Sequence, residues 1–319
     1  MKVVITDHNN MEFAEEKRTI ESVGAKLEIA QCKTEDEVIV KAQGAIGLIN
    51  SEIPITRKVI ESLPDLKVIA KCSIGVDNID VEAATDNHVF VANVPDYCQD
   101  DVSNHALALI MTLTRKIVSL NQKVKQGKWS FSDGVPLHRF SAQTVGLVSY
   151  GSIARNLARK LTVIGFKVIA YDPYYQNTDK ETDVELVSLE ALMSRSDVIS
   201  IHAPLIKETY HMINEKVLDL AKSNAVIINT GRGSVINEAD LIHALKAGKI
   251  SGAGLDVLEK EPMDVNNPLL SMDNVILTPH IAFYSEESIQ ELKQKTALNI
   301  VDILQGKKPR YLVNNLIDT

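Results

Sequence analysis

The chain has 319 residues, of which 45% are hydrophobic and 24% charged, and a formal net charge of −8. That length is ample for two globular domains with buried cores, and the composition is that of an ordinary globular protein, not a disordered or fibrous one. The acidic balance argues against a nucleic-acid surface but not against an anionic substrate, and no apolar run approaches the length of a membrane span.

The elements follow in chain order. Lys2–Thr6 reads as a strand, Glu12–Val23 as a helix stopped by Gly24, and Lys26–Ala30 as a strand. Glu35–Ala42 is a helix, Ala45–Ile49 a buried strand, Thr56–Ser62 a short helix before Pro64, and Lys67–Lys71 a strand. Val81–Asn87 is helical and Val89–Ala92 is the next strand. This alternation predicts a small parallel sheet covered on both faces, without a phosphate-type glycine turn of its own. Because Met1–Asp7 reads as a strand and not a secretory leader, the three cysteines (Cys32, Cys72, Cys98), odd in number and without metal-ligand spacing, imply reduced thiols in the cytoplasm. Cys72 reads as a small buried hydrophobe.

Asp101 to about Lys125 is the longest helical candidate, capped by Asp101 or Ser103. Its broad apolar face comprises Ala106, Leu109, Ile110, Leu113, Ile117, Leu120 and Val124. Such a helix between two α/β units is expected to connect domains and to lie at the contact of a homodimer. Gly127–Ser141 has no periodicity and reads as an ordered loop.

Thr144 to Asp172 carries the clearest signal. An apolar run (Val145–Val148) leads into a turn of small residues, then Ile153, Ala154, Leu157, Ala158 and Leu161 recur at helical spacing, and Lys167–Tyr171 is a second strand ending on Asp172. Strand, small-residue turn, helix, strand and acid form a dinucleotide-binding fingerprint: backbone N–H groups and the helix dipole meet a pyrophosphate, and the acid accepts the ribose hydroxyls. The pattern departs at Ser149, which replaces the first glycine of G-x-G-x-x-G/A. A serine can make the turn if its φ stays negative. Strands at Asp197–His202, Ala225–Asn229, Gly252–Val257 and Val275–Leu277 bring the count from Val145 on to six, with helices at Ser188–Ser194, Glu215–Leu220 and Asn237–Ala247. Glu286–Leu304 is a closing helix, and residues beyond Lys308 read as a tail.

In a doubly wound sheet, ligands lie at the carboxyl ends of the strands. The residues there include one arginine (Arg232), acids at Asp256, Glu259 and Glu261, and histidines at His202 and His280. An arginine fork between glycines suits a carboxylate, and a histidine with an acid suggests acid/base work. His105, His138 and His243 read as structural or surface residues. Glu259 is a rival to Glu261, but only Glu261 precedes a proline.

NTGRGSVINEADLIHALKAGKISGAGLDVLEKEP, followed by NVILTPHIAFYSEES, resembles the D-isomer-specific 2-hydroxyacid dehydrogenase family. KCSIGVDNID, NVPDYCQDDVSNHALALIM and DVISIHAPLIKETYHMIN resemble other parts of the same family, so the likeness covers nearly the whole chain. NVPDYC and PHIAFYSEE look most like bacterial relatives of the C-terminal-binding proteins. The resemblance implies an α/β protein with two doubly wound parallel-sheet domains. The outer, flavodoxin-like substrate domain would comprise residues 1–100 plus 284–319, and the inner Rossmann domain residues 101–283, with a hinge and a closing cleft. It also implies NAD-dependent interconversion of a D-2-hydroxy acid and its 2-keto acid. Arg232, Glu261 and His280 match the catalytic positions. Ile74, Gly75, Arg232 and Phe283 match substrate positions. Tyr150, Gly151, Ser152, Ile153, Asp172, His202, Pro204, Thr209, Thr230 and Asp256 match cofactor positions, and no metal is implied.

NAD is expected over NADP, because Asp172 meets a 2′-phosphate and Pro173, Tyr174, Tyr175, Gln176 and Asn177 bring no cation to offset it. Phe283 and Tyr284 read as pocket walls or as packing for the closing helix; with Phe283 as a wall, Glu52 repelling a second anion if it faces the cleft, and no basic cluster among the candidate pocket residues, the expected substrate is a monoanionic 2-keto acid with a small to medium uncharged side chain. They disfavour 3-phosphohydroxypyruvate. Alternatives are a dinucleotide-sensing, corepressor-like binding protein, or a dehydrogenase of another small anion on the same scaffold.

Overall fold

The computed structural model describes residues 1–8, 12–175 and 184–316. The chain divides into two compact units, Met1–Cys98 with Ser285–Thr319, and Gln99–Tyr284.

The first unit opens with β1 (Lys2–Ile5), α1 (Ala14–Glu21), β2 (Lys26–Ile29), α2 (Glu35–Lys41), β3 (Ala45–Asn50), α3 (Arg57–Glu61), β4 (Val68–Lys71), α4 (Val81–Asp86) and β5 (Phe90–Ala92). Its five strands lie in the order β2-β1-β3-β4-β5, all parallel, which is the flavodoxin-like order. Strand alternation sends Val4, Leu48, Ile69 and Val91 to one face against Val38, Val59, Ile60, Ala83 and Ala84. Val3, Ile5, Val68 and Ala70 go to the other face. Each fully buried aliphatic side chain is worth about 1.5–3 kcal/mol of transfer free energy, which is why these short strands read as unbroken apolar runs.

The second unit contains α5 (Gln99–Thr114), α6 (Ile117–Lys125), β6 (Thr144–Val148), α7 (Ser152–Ile164), β7 (Lys167–Tyr171), β8 (Glu185–Leu186) and α8 (Leu189–Arg195). It continues with β9 (Val198–Ile201), α9 (Glu215–Leu218), β10 (Val226–Asn229), α10 (Glu238–Lys246), β11 (Gly252–Leu255) and β12 (Val275–Leu277). The sheet order is β12-β11-β10-β9-β6-β7-β8, with every pairing parallel. Read from β8 to β11 it is the Rossmann order, with β12 added at one edge. The sheet therefore has seven strands where six were expected. The extra one, β8, is two exposed residues long and carries no alternation to detect.

Finally α11 (Glu286–Leu304) returns to the first unit and lays Ala297, Ile300 and Val301 on the open face of its sheet. A reciprocal box starts it: Ser285 Oγ accepts from Ser288 N–H at 3.0 Å, and Ser288 Oγ accepts from Ser285 N–H at 2.8 Å.

Two further expectations are corrected. The long helix expected from Asp101 to Lys125 is two helices, broken where Lys116 takes a left-handed backbone (φ 53°). Ser103 does not cap it but is buried inside α5. Only the first half of the apolar stripe enters the core, through Ala106, Leu109 and Ile110, whereas α6 buries none of its residues. The stretch beyond Lys308 is also more than a tail. Val313 N–H donates to Val91 O (2.8 Å), and Val91 N–H donates to the buried Asn314 Oδ1 (2.8 Å), so this segment covers the β5 edge. Among the described residues, no helix is long and apolar enough to cross a membrane.

Candidate active site

The β6–α7 turn carries the small-residue fingerprint of the second unit. Gly151 is the N-cap of α7 and offers no capping side chain, so the first-turn N–H groups at Ser152 and Ile153 have no side-chain acceptor from the cap. A Cβ built on Gly151 meets nothing within 4 Å, so the turn is open on that side. Ser149 differs from expectation: its φ is +70°, not negative, so it holds the left-handed conformation that a glycine takes without cost. Its hydroxyl donates to Asp172 Oδ2 (3.2 Å), and Tyr150 N–H donates to the same oxygen (2.8 Å). Asp172 Oδ1 accepts from Tyr174 N–H (2.9 Å) and Tyr175 N–H (3.1 Å). Gln176 and Asn177 lie outside the described residues.

After β9, His202 Nε2 pairs with Ser200 Oγ (2.9 Å), while its Nδ1 is buried without a hydrogen-bond partner among the described residues. Burial lowers the His202 pKa to about 4, so the ring is neutral at ordinary pH. Thr209 closes the loop after Pro204, donating to Pro204 O (2.6 Å) and accepting from Ile206 N–H (2.9 Å). Thr230, after β10, also has a buried hydroxyl without a hydrogen-bond partner among the described residues. Buried polar atoms are normally satisfied. Two unsatisfied ones at adjacent strand ends, beside an uncapped helix and an acid at the next strand end, fit a dinucleotide lying across this edge.

A histidine–acid pair forms at the end of the segment after β12. His280 Nδ1 lies 2.6 Å from Glu261 Oε2, and Leu258 N–H donates to Glu261 Oε1 (2.9 Å). The hydrogen bond to Glu261 is the main reason the His280 pKa is raised above its ordinary value; partial burial and the charge of Arg232 oppose it. Burial alone would raise the Glu261 pKa, but the bonds from His280 and Leu258 N–H outweigh it and hold the carboxyl low. Arg232 is thus close enough for its charge to act on both partners, and its Nη1 donates to Gly231 O (2.9 Å). The segment carrying it is pressed against the segment carrying Glu261: a Cβ on Gly233 would sit 1.9 Å from Leu258 C and O. Phe283 is also brought in, its ring 6.3 Å from that of His280 at 77°.

His280 itself has φ +51°, and Asp256 holds it there. Asp256 O accepts from His280 N–H (2.8 Å), its Oδ1 from Ile281 N–H (3.0 Å) and its Oδ2 from Ala282 N–H (2.9 Å). Thr278 Oγ1 donates to Asp256 Oδ1 (2.5 Å) and pairs with His105 Nε2 (2.9 Å). His105, read from sequence as structural or surface, therefore braces the turn that presents His280. Glu259 does not share the Glu261 position; it pairs with His211, which sequence reasoning passed over. Nothing in the spacing of either pair signals it, because the partners are far apart in sequence and meet only in the fold. Ile74 and Gly75 belong to the other unit, in the loop after β4, where Asn93 Nδ2 donates to Ile74 O (2.7 Å) and Ser73 Oγ to Gly75 O (2.9 Å). Among the described residues no group of three or more His, Cys, Asp or Glu could hold a metal ion.

Comparison with known proteins agrees with this chemistry. Residues 107–282 match the sequence profile of the D-isomer specific 2-hydroxyacid dehydrogenase NAD binding domain. A glyoxylate reductase of Thermococcus litoralis is 40% identical over 271 residues, covering 82% of this chain and 80% of that protein. A D-3-phosphoglycerate dehydrogenase of Methanocaldococcus jannaschii is 36% identical over 98% of this chain and 59% of its own length. The crystal structure of an Aquifex aeolicus D-lactate dehydrogenase with NAD and lactic acid superimposes with a TM-score of 0.85 at 28% identity, covering 95% of this chain and 96% of that one. The chain belongs to the D-isomer specific 2-hydroxyacid dehydrogenase family and is an NAD-dependent oxidoreductase acting on D-2-hydroxy acids and their 2-keto acids.

Proposed function

We propose that this enzyme reduces a small monoanionic 2-keto acid, with His280 as the general acid, Glu261 as its partner and Arg232 as the carboxylate clamp. The observation that carries the reading is the 2.6 Å contact between His280 Nδ1 and Glu261 Oε2, with Arg232 near enough to influence both. Glu261 accepts a hydrogen bond from Nδ1–H, which leaves Nε2 as the nitrogen that gives or takes a proton. In reduction, protonated His280 donates from Nε2 to the carbonyl oxygen while the carboxylate is held by Arg232. In oxidation the neutral ring takes the hydroxyl proton back. NADH, when bound, supplies the hydride. The N–H groups from Gly151 to Ile153, Asp172, His202, the Pro204–Thr209 loop, Thr230 and Asp256 are the residues that would hold it.

Phe283, packed edge-on to His280, forms an apolar wall for the substrate side chain. On the first unit, the Asn50 side chain is consumed by Thr6, Asp7, Ile53 and Asn78, and the ammonium of Lys71 by Ser51 O. Glu52 is exposed. Arg232, His280 and Phe283 offer no cluster of cations for a phosphate, so small monoanionic acids with an uncharged side chain, such as glyoxylate, hydroxypyruvate and pyruvate, are favoured over 3-phosphohydroxypyruvate. The test is steady-state reduction of a 2-keto acid series by the wild type and Phe283→Ala. The variant should lose most on the longer apolar tails, at about 0.8 kcal/mol for each methylene no longer buried. Uniform losses across the series would remove Phe283 from the pocket.

The working form is proposed to be a cytoplasmic homodimer joined through the second unit. The exposed Ile117, Val118, Val124, Trp129, Phe131 and Val135 give that unit an apolar surface from α6 into the following loop. Light scattering giving a monomer mass at micromolar concentration would reject it. The kinship with C-terminal-binding proteins rests on NVPDYC and PHIAFYSEE alone. A purely dinucleotide-sensing role is not favoured, since the relatives described are enzymes by name.

A further inference from the structure

Ser149 stands where the dinucleotide turn has its first glycine, and it keeps the left-handed backbone that the position demands (φ 70°). A side chain there is strained, so a compensating contact is expected. The hydroxyl makes one, to Asp172 Oδ2 at 3.2 Å, on the oxygen that already accepts Tyr150 N–H at 2.8 Å. The other carboxylate oxygen takes the N–H groups of Tyr174 (2.9 Å) and Tyr175 (3.1 Å). A carboxylate offers about four acceptor positions in total, and four donors of the protein occupy Asp172.

We propose that Ser149 sets coenzyme affinity by competing with the adenosine ribose for Asp172, and that dinucleotide binding turns its hydroxyl off the carboxylate. Three of the four donors are backbone N–H groups, one in the turn (Tyr150) and two in the segment just after Asp172 (Tyr174, Tyr175). The Ser149 hydroxyl alone can leave by rotating about its side-chain bonds, so it is the donor that yields to a ribose hydroxyl. The inference rests on Asp172 being the ribose acceptor. Glycine at position 149 leaves an acceptor position on Oδ2 open and relaxes the turn. Alanine also opens the position but keeps a Cβ in the left-handed region.

Titration of NADH by its fluorescence on binding tests this with the wild type, Ser149→Gly, Ser149→Ala, Asp172→Ala and the Ser149→Gly/Asp172→Ala pair. Both single changes at 149 should tighten NADH by about three- to ten-fold, the net worth of one hydrogen bond. Ser149→Gly should melt above Ser149→Ala, since only glycine relieves the backbone. With Asp172→Ala present, the glycine should bring no gain. Equal or weaker NADH binding by both 149 variants would overturn the proposal, because the hydroxyl would then assist the ribose. A gain of the same size with Asp172→Ala present would overturn it as well, by tracing the effect to the relaxed turn. Asp172→Ala by itself keeps the two readings apart. If it binds NADH as the wild type does, the ribose role of Asp172 falls; if it weakens NADH while Ser149→Gly with Asp172 intact gains nothing, only the role of Ser149 falls.

Discussion

Gly233→Ala is the substitution that most directly probes how Arg232 and Glu261 come together. The added Cβ would sit 1.9 Å from Leu258 C and O and 2.5 Å from Glu259 N. Ordinary contact begins at 3.4 Å, so the two backbones must part by about 1.5 Å (3.4 − 1.9). Neither obstacle is a flexible side chain that could swing aside. Leu258 N–H holds Glu261 Oε1 at 2.9 Å, so the displacement passes to the carboxylate that orients His280, while Arg232 adjoins Gly233 on the other side. A misplacement of about 1 Å at a reacting group can cost about 10²-fold, and overpacking typically destabilises by about 1–3 kcal/mol. Gly233→Ala should therefore lower kcat/KM for glyoxylate by about 10²-fold or more and lower Tm. NADH binding should change less, because the β6–α7 turn is a separate segment. Steady-state NADH oxidation and a circular-dichroism melt read both quantities. A Gly233→Ala enzyme with wild-type kcat/KM and Tm would refute the idea that this close approach holds the catalytic set.

Three further outcomes are expected. His280→Ala should lose about 10²- to 10⁴-fold in kcat with NADH binding kept, and Arg232→Ala should raise KM for the keto acid as well as lowering kcat; wild-type turnover by His280→Ala would displace the catalytic assignment. With His280 as the proposed general acid, kcat/KM for reduction should fall as pH rises through a His280 pKa held above the ordinary histidine value, while oxidation rises over the same range. Glu261→Gln removes the hydrogen-bonded carboxylate that raises that pKa, so both limbs should move to lower pH, and an unmoved profile would detach Glu261 from His280. NAD(H) should be preferred over NADP(H) in kcat/KM, with Asp172→Ala narrowing the gap; equal use of NADPH by the wild type would contradict the ribose reading.

The two sheets were legible because parallel strands buried on both faces must be apolar throughout, and Val145–Val148, Val226–Ile228 and Leu48–Ile49 are. The contacts between neighbouring strand ends were legible only in part. Arg232, Glu261 and His280 stand out by residue type and motif, and the fold does bring them near one another. The conformation of Ser149 was not legible, since a serine in the left-handed region depends on a partner, Asp172, that only the folded turn supplies. The break at Lys116 was hidden for the opposite reason. The apolar spacing continues through it, while the core that would use the second half does not. His105 and His211 could not be assigned from sequence, because a histidine gains a role from what it touches, and Thr278 and Glu259 are remote in the chain. Asn314 was missed as an edge cover because a side-chain carbonyl completing a strand ladder leaves no periodic trace.

The most direct measurement is the ratio of kcat/KM for hydroxypyruvate to that for 3-phosphohydroxypyruvate, with NADH as the reductant and the D-isomer of each product verified. On the proposed reading, hydroxypyruvate is small, monoanionic and suited to Arg232, His280 and Phe283, whereas its phosphorylated counterpart brings extra negative charge that these three residues offer no cluster of cations to meet. A ratio well above one is the expected result. A clear preference for the phosphorylated acid, or no NADH-dependent turnover of either, would contradict a small monoanionic 2-keto acid as the substrate of this site.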